Sequence, residues 1–219
     1  MVAQITDRTA AFDKHGRPFR RRNFLPVIVL FSSLAMVTLL IWVIALSRPP
    51  DVREAAVCNP PPATADSDSP ELQLGEQVSR QEMVDVTPAK LAGTKIRVLN
   101  ASRKGGQAAE VASALRDVGF TDLQADNDSI YEAVRLECQG QIRFGPAGRA
   151  AAAAVWLVAP CTELFQDERS DDSVDLALGT DFGGLSHSDD IDAVLASLLP
   201  DATAPAEPAL LSKIHNGSC

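Results

Sequence analysis

Two predicted turns and four cysteines hold most of the residues in this sequence that are equipped for chemistry. The first turn, Asn100-Ala101-Ser102-Arg103-Lys104-Gly105-Gly106, opens a predicted helix. Helix N-termini carry N–H groups without intrahelical partners, and Arg103 and Lys104 add positive charge. The turn therefore has the makings of an anion site, for a phosphate or a uronic acid. Arg143 and Arg149 flank the corresponding turn of a second unit. If the two units lie side by side, both turns open at one sheet edge. Asn100, Ser102, Arg103, Lys104, Gly105, Gly106, Arg143 and Arg149 then form one candidate ligand-binding site. The plainer reading is a pair of ordinary turns in which Asn and Ser cap, glycines bend the chain and the cations are solvated. The dinucleotide fingerprint G-x-G-x-x-G is not present.

Catalytic constellations are harder to assemble. Ser186-His187-Ser188-Asp189 has the letters of a nucleophilic triad, but sequence neighbours cannot converge as a triad must. His15 lies in the N-terminal tail and His215 in the C-terminal one. Asp126-Asn127-Asp128 matches the D-x-D seen in sugar transferases, and three polar loop residues match it by chance often. Asp167, Glu168, Asp171, Asp172 and Asp175, with Asp181 beyond, lack the spacing and central glycine of a calcium loop and read as solvated surface. The expectation is a chain with no catalytic residue, no metal ligand and no cofactor. The enzyme alternative is a glycan-cleaving site that uses carboxylates such as Asp126, Asp128 and Asp181 as acid and base. It requires two of them about 5–10 Å apart in a cleft.

Those residues need elements to position them. Lys95–Leu99 reads as a strand, the Asn100–Gly106 turn follows, and then a helix with Ala108, Val111, Ala112 and Leu115 on one face. Forty-six positions later Gln141–Phe144 repeats the strand, and Ala151, Ala154, Val155 and Val158 repeat the helical face. Gly119 and Pro160 stop the two helices. Return strands are predicted at 121–125 and 162–166. A further strand is predicted at 174–178, with Val174, Leu176 and Leu178 on one face and Asp175 and Ala177 on the other. A last helix over 189–199 buries Ile191, Val194, Leu195 and Leu198. The fold class is α/β (α+β): two strand–helix–strand units on a mixed sheet, with the helices on one face. Trp156, in the second helix, reads as core.

Ahead of this domain, Leu25–Leu46 contains no charged residue. Twenty-two helical residues rise about 33 Å, enough for a hydrocarbon core of about 30 Å. The run reads as an uncleaved membrane span, with Trp42 near its outer end as an interfacial anchor. Six of the 20 basic residues and two of the 29 acidic ones precede it, leaving 14 and 27 beyond, a net charge of −13. Basic residues resist translocation, so the tail is expected to stay cytoplasmic and the C-terminal part to lie outside. An acidic exported part disfavours nucleic acid as a partner. The expected layout is a basic cytoplasmic tail (1–24), a transmembrane helix (25–47), a Pro-rich extracytoplasmic linker (48–93), the α/β domain (94–200) and a C-terminal tail (201–219). Within 75–93 a short helix or an edge strand is also expected.

All four cysteines, Cys58, Cys138, Cys161 and Cys219, follow the span, and an even count in an oxidising compartment reads as two disulfides. Their spacing does not suit zinc. Cys138 stands before the second unit's strand and Cys161 after its helix. A helix of about 18 Å running back along a strand of about 17 Å returns both cysteines to one end of the domain. The predicted pairs are Cys138–Cys161 and, by elimination, Cys58–Cys219.

The linked stretches IRVLNAS-x-x-GG-x-A-x-x-VA-x-AL-x-x-x-GF, IRFGP-x-G-x-A-A and DLALGTDF resemble the LytR C-terminal domain of actinobacterial envelope proteins, over roughly Thr94–Phe182. The basic tail ending in KHGRPFRRRN, the single span, the RPPDVREAAVCNPPP linker and the terminal cysteine are similar to the layout of actinobacterial envelope-integrity proteins. The resemblance implies a role in maintaining a mycobacterial-type envelope, with a cell-wall glycopolymer or an envelope-assembly protein as partner. In related chains the module follows the catalytic domain of LytR-CpsA-Psr phosphotransferases. About 45 residues separate the span from the module here, too few to hold that domain, so its activity does not carry over.

Overall fold

A computed structural model describes residues 24–47, 57–62 and 74–215. The basic tail with His15, part of the 48–93 segment, and Cys219 lie outside the described residues. Helix α1, Leu25–Ser47, covers the expected span and is the one helix among the described residues long and apolar enough to cross a membrane. Ser33 donates to the Leu30 carbonyl (2.8 Å) and Thr38 to that of Leu34 (2.9 Å), so these hydroxyls are satisfied within the helix. A polar group so bonded costs little in lipid.

The second unit is an α/β domain on a six-stranded mixed sheet. Its strands are β1 (Glu76–Gln77), β2 (Lys95–Asn100), β3 (Asp122–Asn127), β4 (Gly140–Phe144), β5 (Glu163–Gln166) and β6 (Val174–Leu178). The spatial order is β1-β5-β4-β6-β2-β3. Helix α3 (Gln107–Asp117) links β2 to its parallel neighbour β3, and α4 (Arg149–Val158) links β4 to its parallel neighbour β5. These are the two predicted strand–helix–strand units, but their strands are not neighbours in the sheet. Strand β6 lies between them, parallel to β2 and antiparallel to β4, so the units run in opposite directions.

The helices of this domain gather on one face. Ile96, Val98, Ile142, Phe144, Leu176 and Leu178 point into a single core with the small-residue stripes of α3 and α4. Helix α5 (Asp189–Ser197) closes the layer, capped by the Ser188 hydroxyl, with three aspartates in its first turn. Trp156 is fully buried in this core.

Three expectations need correction. The domain begins well before residue 94. Helix α2 (Arg80–Val84) carries a Ser79/Glu82 capping box, and Met83 and Leu91 are buried. With β1, they make 74–93 part of the fold rather than linker. The C-terminal stretch is likewise not all tail: α6 (Pro208–His215) buries Leu211 and stacks His215 on Trp156, with ring centroids 3.8 Å apart.

The third correction concerns the disulfide. Cys138 bonds Cys58, not Cys161, so the pair Cys58–Cys219 falls as well. Cys138 and Cys161 do lie at the same end of the domain, as expected, because β4 and β5 are parallel, but they lie on different faces of the sheet. Cys138 belongs to a second, smaller cluster with Ala101, Tyr131, Leu136 and Ala177 on the helix-free side of the sheet. Cys161 follows α4, which lies on the other side.

Candidate functional site

The candidate ligand-binding residues are separated by the topology. Asn100, at the end of β2, is level with Leu178 and hence with Gly140, whereas Phe144, at the end of β4, is level with Val174. The two turns therefore open at opposite ends of the sheet, about 13 Å apart along the strands. The first turn is also occupied by its own chain. Asn100 Oδ1 accepts from the Ser102 backbone N–H (3.2 Å) and Oγ (3.0 Å), and Asn100 Nδ2 donates to the Lys104 carbonyl (2.8 Å). Arg103 donates to the Glu132 carbonyl, and Lys104 Nζ to that of Thr180 (2.7 Å). Gly105 leads into Gly106, which caps α3 in the left-handed region at φ 80°. Arg149 reaches Gln166 and the Glu82 carbonyl, both at 3.2 Å.

Arg143 is the exception, and its surroundings define a different site. Strand alternation sends Ile142 and Phe144 to the helices and Gln141 and Arg143 to the opposite face. The registers then set one row across the sheet: Phe165, Arg143, Asp175, Arg97 and Gln124. Asp175, 5% exposed in its side chain, accepts two bonds from Arg97 (2.7 and 2.8 Å) and one from Arg169 (2.8 Å). Arg143 is buried. It donates to Asp128 (2.7 Å) and Gln141 (2.8 Å), and its guanidinium lies 5.7 Å from the Tyr131 ring centroid. Placing a pair like Arg143–Asp128 in the interior costs desolvation, which its geometry must offset.

The 128–138 segment covers one end of this face, and residues 57–62 hold that cover down. Asn59 accepts from the Glu137 N–H (2.6 Å) and, through its carbonyl, from the Tyr131 hydroxyl (2.8 Å). The Cys58–Cys138 bond fixes the same contact covalently. Beneath it, burial pushes the Glu163 carboxyl up from its usual value, and the bond from the Cys58 N–H only partly opposes this. The uncovered remainder of the face is an open cleft of about 510 Å³, with Arg97, Arg143, Arg169, Asp126, Asp167 and Asp175 among its lining side chains.

The carboxylates that a glycan-cleaving site would need are dispersed or paired. Asp128 is bound to Arg143, Asp126 sits exposed on the edge strand β3, and Asp181 is exposed in the loop after β6. Burial pushes the Asp167 carboxyl up, but the Arg169 guanidinium and N–H outweigh it and hold the group below the ordinary carboxylate value. The acidic stretch is thus more structured than solvated surface. Asp167 and Asp175 clamp Arg169, Asp172 pairs with Lys95 (2.9 Å), and Asp171 accepts from the Ser173 N–H (2.8 Å). Among the described residues, no three His, Cys, Asp or Glu side chains gather as a metal would require.

Comparison with known proteins fits this architecture. Residues 93–182 match the family described as LytR cell envelope-related transcriptional attenuator. Cell envelope integrity protein Cei of Mycobacterium tuberculosis (strain ATCC 25618 / H37Rv) is 67% identical over 219 residues, covering 100% of both chains. The chain belongs to the Cei family. A crystal structure of the soluble domain of a conserved hypothetical secreted protein from Mycobacterium marinum is similar at 69% identity, with a TM-score of 0.66. It covers 67% of this chain and 99% of that one. The role is therefore envelope-related, and the α/β domain is the part shared with the solved relative.

Of the site residues, Arg143 and Asp128 were singled out from the sequence, Asp128 only as a loop or acid–base carboxylate and not as the partner of Arg143, whereas Arg97, Gln124 and Arg169 were missed. The signal was available in the alternation of Arg97 with Ile96 and Val98, and of Asp175 and Ala177 with their apolar neighbours. Together these mark a second, polar face.

Proposed function

We propose that the chain is a membrane-anchored, extracytoplasmic and non-catalytic module that maintains envelope integrity by binding a cell-wall polymer or an envelope-assembly protein. Helix α1 is the anchor, and the arginine-rich tail before it keeps the N-terminus in the cytoplasm. The observation that carries the reading is the helix-free face: a formed cleft whose ionisable side chains are mostly committed to one another. Arg97, Arg143 and Arg169 each hold a carboxylate, so the cleft offers hydrogen bonds and shape rather than a poised acid, base or nucleophile. The Cys58–Cys138 bond suits the oxidising side of the membrane.

Deleting the gene should raise sensitivity to detergents and cell-wall antibiotics, and the full chain supplied in trans should restore resistance. Unchanged sensitivity in the deletion strain would contradict the reading. Protease added to spheroplasts should remove the domain while leaving the N-terminal tail protected. Replacing α1 by an unrelated span should preserve rescue if the α/β domain does the binding.

A further inference from the structure

We infer that the cleft on the helix-free face takes an uncharged, hydroxyl-rich glycan segment rather than an anionic one. The inference rests on the binding role proposed above and gives its ligand a chemical class. Charge is the first observation. The cleft side chains include three guanidinium groups and three carboxylates, and each guanidinium already has a carboxylate partner at 2.6–2.8 Å. A phosphate or uronate entering there would meet Asp126, Asp167 and Asp175 at close range and find the cations already neutralised. A cleft selective for anions would instead present an excess of one sign. An uncharged ligand meets no such repulsion.

Hydrogen-bonding capacity is the second. Arg97 uses Nε and Nη2 on Asp175, which leaves the Nη1 amino group for a ligand. Gln124 stands next to Arg97 in the same cross-strand row, exposed on the open edge strand. Asp126 and Ser129, also exposed, add acceptors and a hydroxyl at the rim. Fixed donors and acceptors side by side match the vicinal hydroxyls of a sugar, each of which both donates and accepts. The third observation is apolar. Leu74, Leu99 and Ile130 line the same cleft and give a surface for the C–H face of a ring. A few convergent polar groups beside apolar walls, in a volume within the range of about 300–1,000 Å³, is the composition of a small-ligand site.

The test uses the full chain in lipid nanodiscs and saturation-transfer NMR. Malto-, manno-, xylo- and chito-tetraose serve as neutral probes, with oligogalacturonate and inorganic polyphosphate as anionic ones. At least one neutral tetrasaccharide should give transfer that is unchanged between 50 mM and 500 mM salt. Arg97→Met/Gln124→Ala should weaken it at least fivefold, whereas Glu110→Ala on the outside of α3 should not. Urea unfolding of the double variant checks that it is folded; if it is not, Ser129→Ala takes its place. Preference for an anionic probe, or no response to any neutral one, overturns the inference. Sedimentation with crude wall fractions and membrane extracts separates the two levels. Co-sedimentation without response to a neutral probe sinks only the glycan class, while failure to co-sediment with anything removes the binding role itself. Capture of a protein that Arg97→Met/Gln124→Ala disrupts, in place of sugar binding, would also overturn the glycan assignment.

Discussion

The two faces of the sheet are built from the same strands by opposite chemistry. On the helical face every second side chain is apolar, and Trp156, Phe144, Ile142 and Leu176 pack against alanine-rich helices. On the other face the alternate positions are Arg97, Gln141, Arg143 and Asp175, held by ion pairs and amide hydrogen bonds, with Gln124 exposed beside Arg97. The first arrangement stabilises because apolar area leaves water. The second stabilises weakly at best, because each buried charge must recover its desolvation cost from a partner. A domain this size could cover both faces with helices. Here one face stays polar, partly roofed by a disulfide-tethered segment and partly open, an arrangement that suits the proposed binding role.

That contrast can be broken face by face. Trp156→Ala should cost about 5 kcal/mol in urea unfolding, since it empties the largest fully buried side chain and removes the platform for His215. On the polar face, reducing Cys58–Cys138, which closes 80 residues of sequence, should cost about 4.5 kcal/mol and loosen the 128–138 cover, seen as faster amide exchange at Tyr131 and Leu136. Arg143→Met should cost about 4 kcal/mol by stranding the Asp128 carboxylate. Adding Asp128→Leu should recover most of that loss, an outcome no core truncation on the helical side would mimic.

The smallest effect is a pH dependence confined to the helical side. Burial, with Arg80 nearby, lowers the His215 pKa to about 4, and its Nδ1 finds no hydrogen-bond partner among the described residues. Above pH 6.5 the imidazole is neutral in both states. As pH falls from 6.5 to 4 the unfolded chain takes up the proton and the folded one resists, so stability should drop by about 1.4 kcal/mol per pH unit in that window. His215→Phe, which retains the stack on Trp156, should flatten that part of the profile.

Local patterns made the helical face legible. The periodicities of Ala108–Leu115 and Ala151–Val158, and the alternation at Val174–Leu178, gave the elements and the side each residue faces. What they could not give was strand order. Nothing in the local sequence says that β6 inserts between the two units and reverses one of them. The two glycine turns were therefore joined at one edge when they lie at opposite ends. The disulfide failed for a related reason: helix and strand lengths give an end of the domain, whereas a bond also needs a face. The docking of 74–93 and of α6 depends on a few side chains, Met83, Leu91, Leu211 and His215, too sparse to register as periodicity in short segments.

The division of labour between the faces is tested most directly by complementation. A deletion strain should be rescued for detergent resistance by the full chain carrying Glu110→Ala and Arg116→Ala on α3. It should not be rescued by the chain carrying Arg97→Met and Gln124→Ala in the cleft, with both proteins present at wild-type levels. Equal rescue by the two variants would contradict the assignment of function to the polar face.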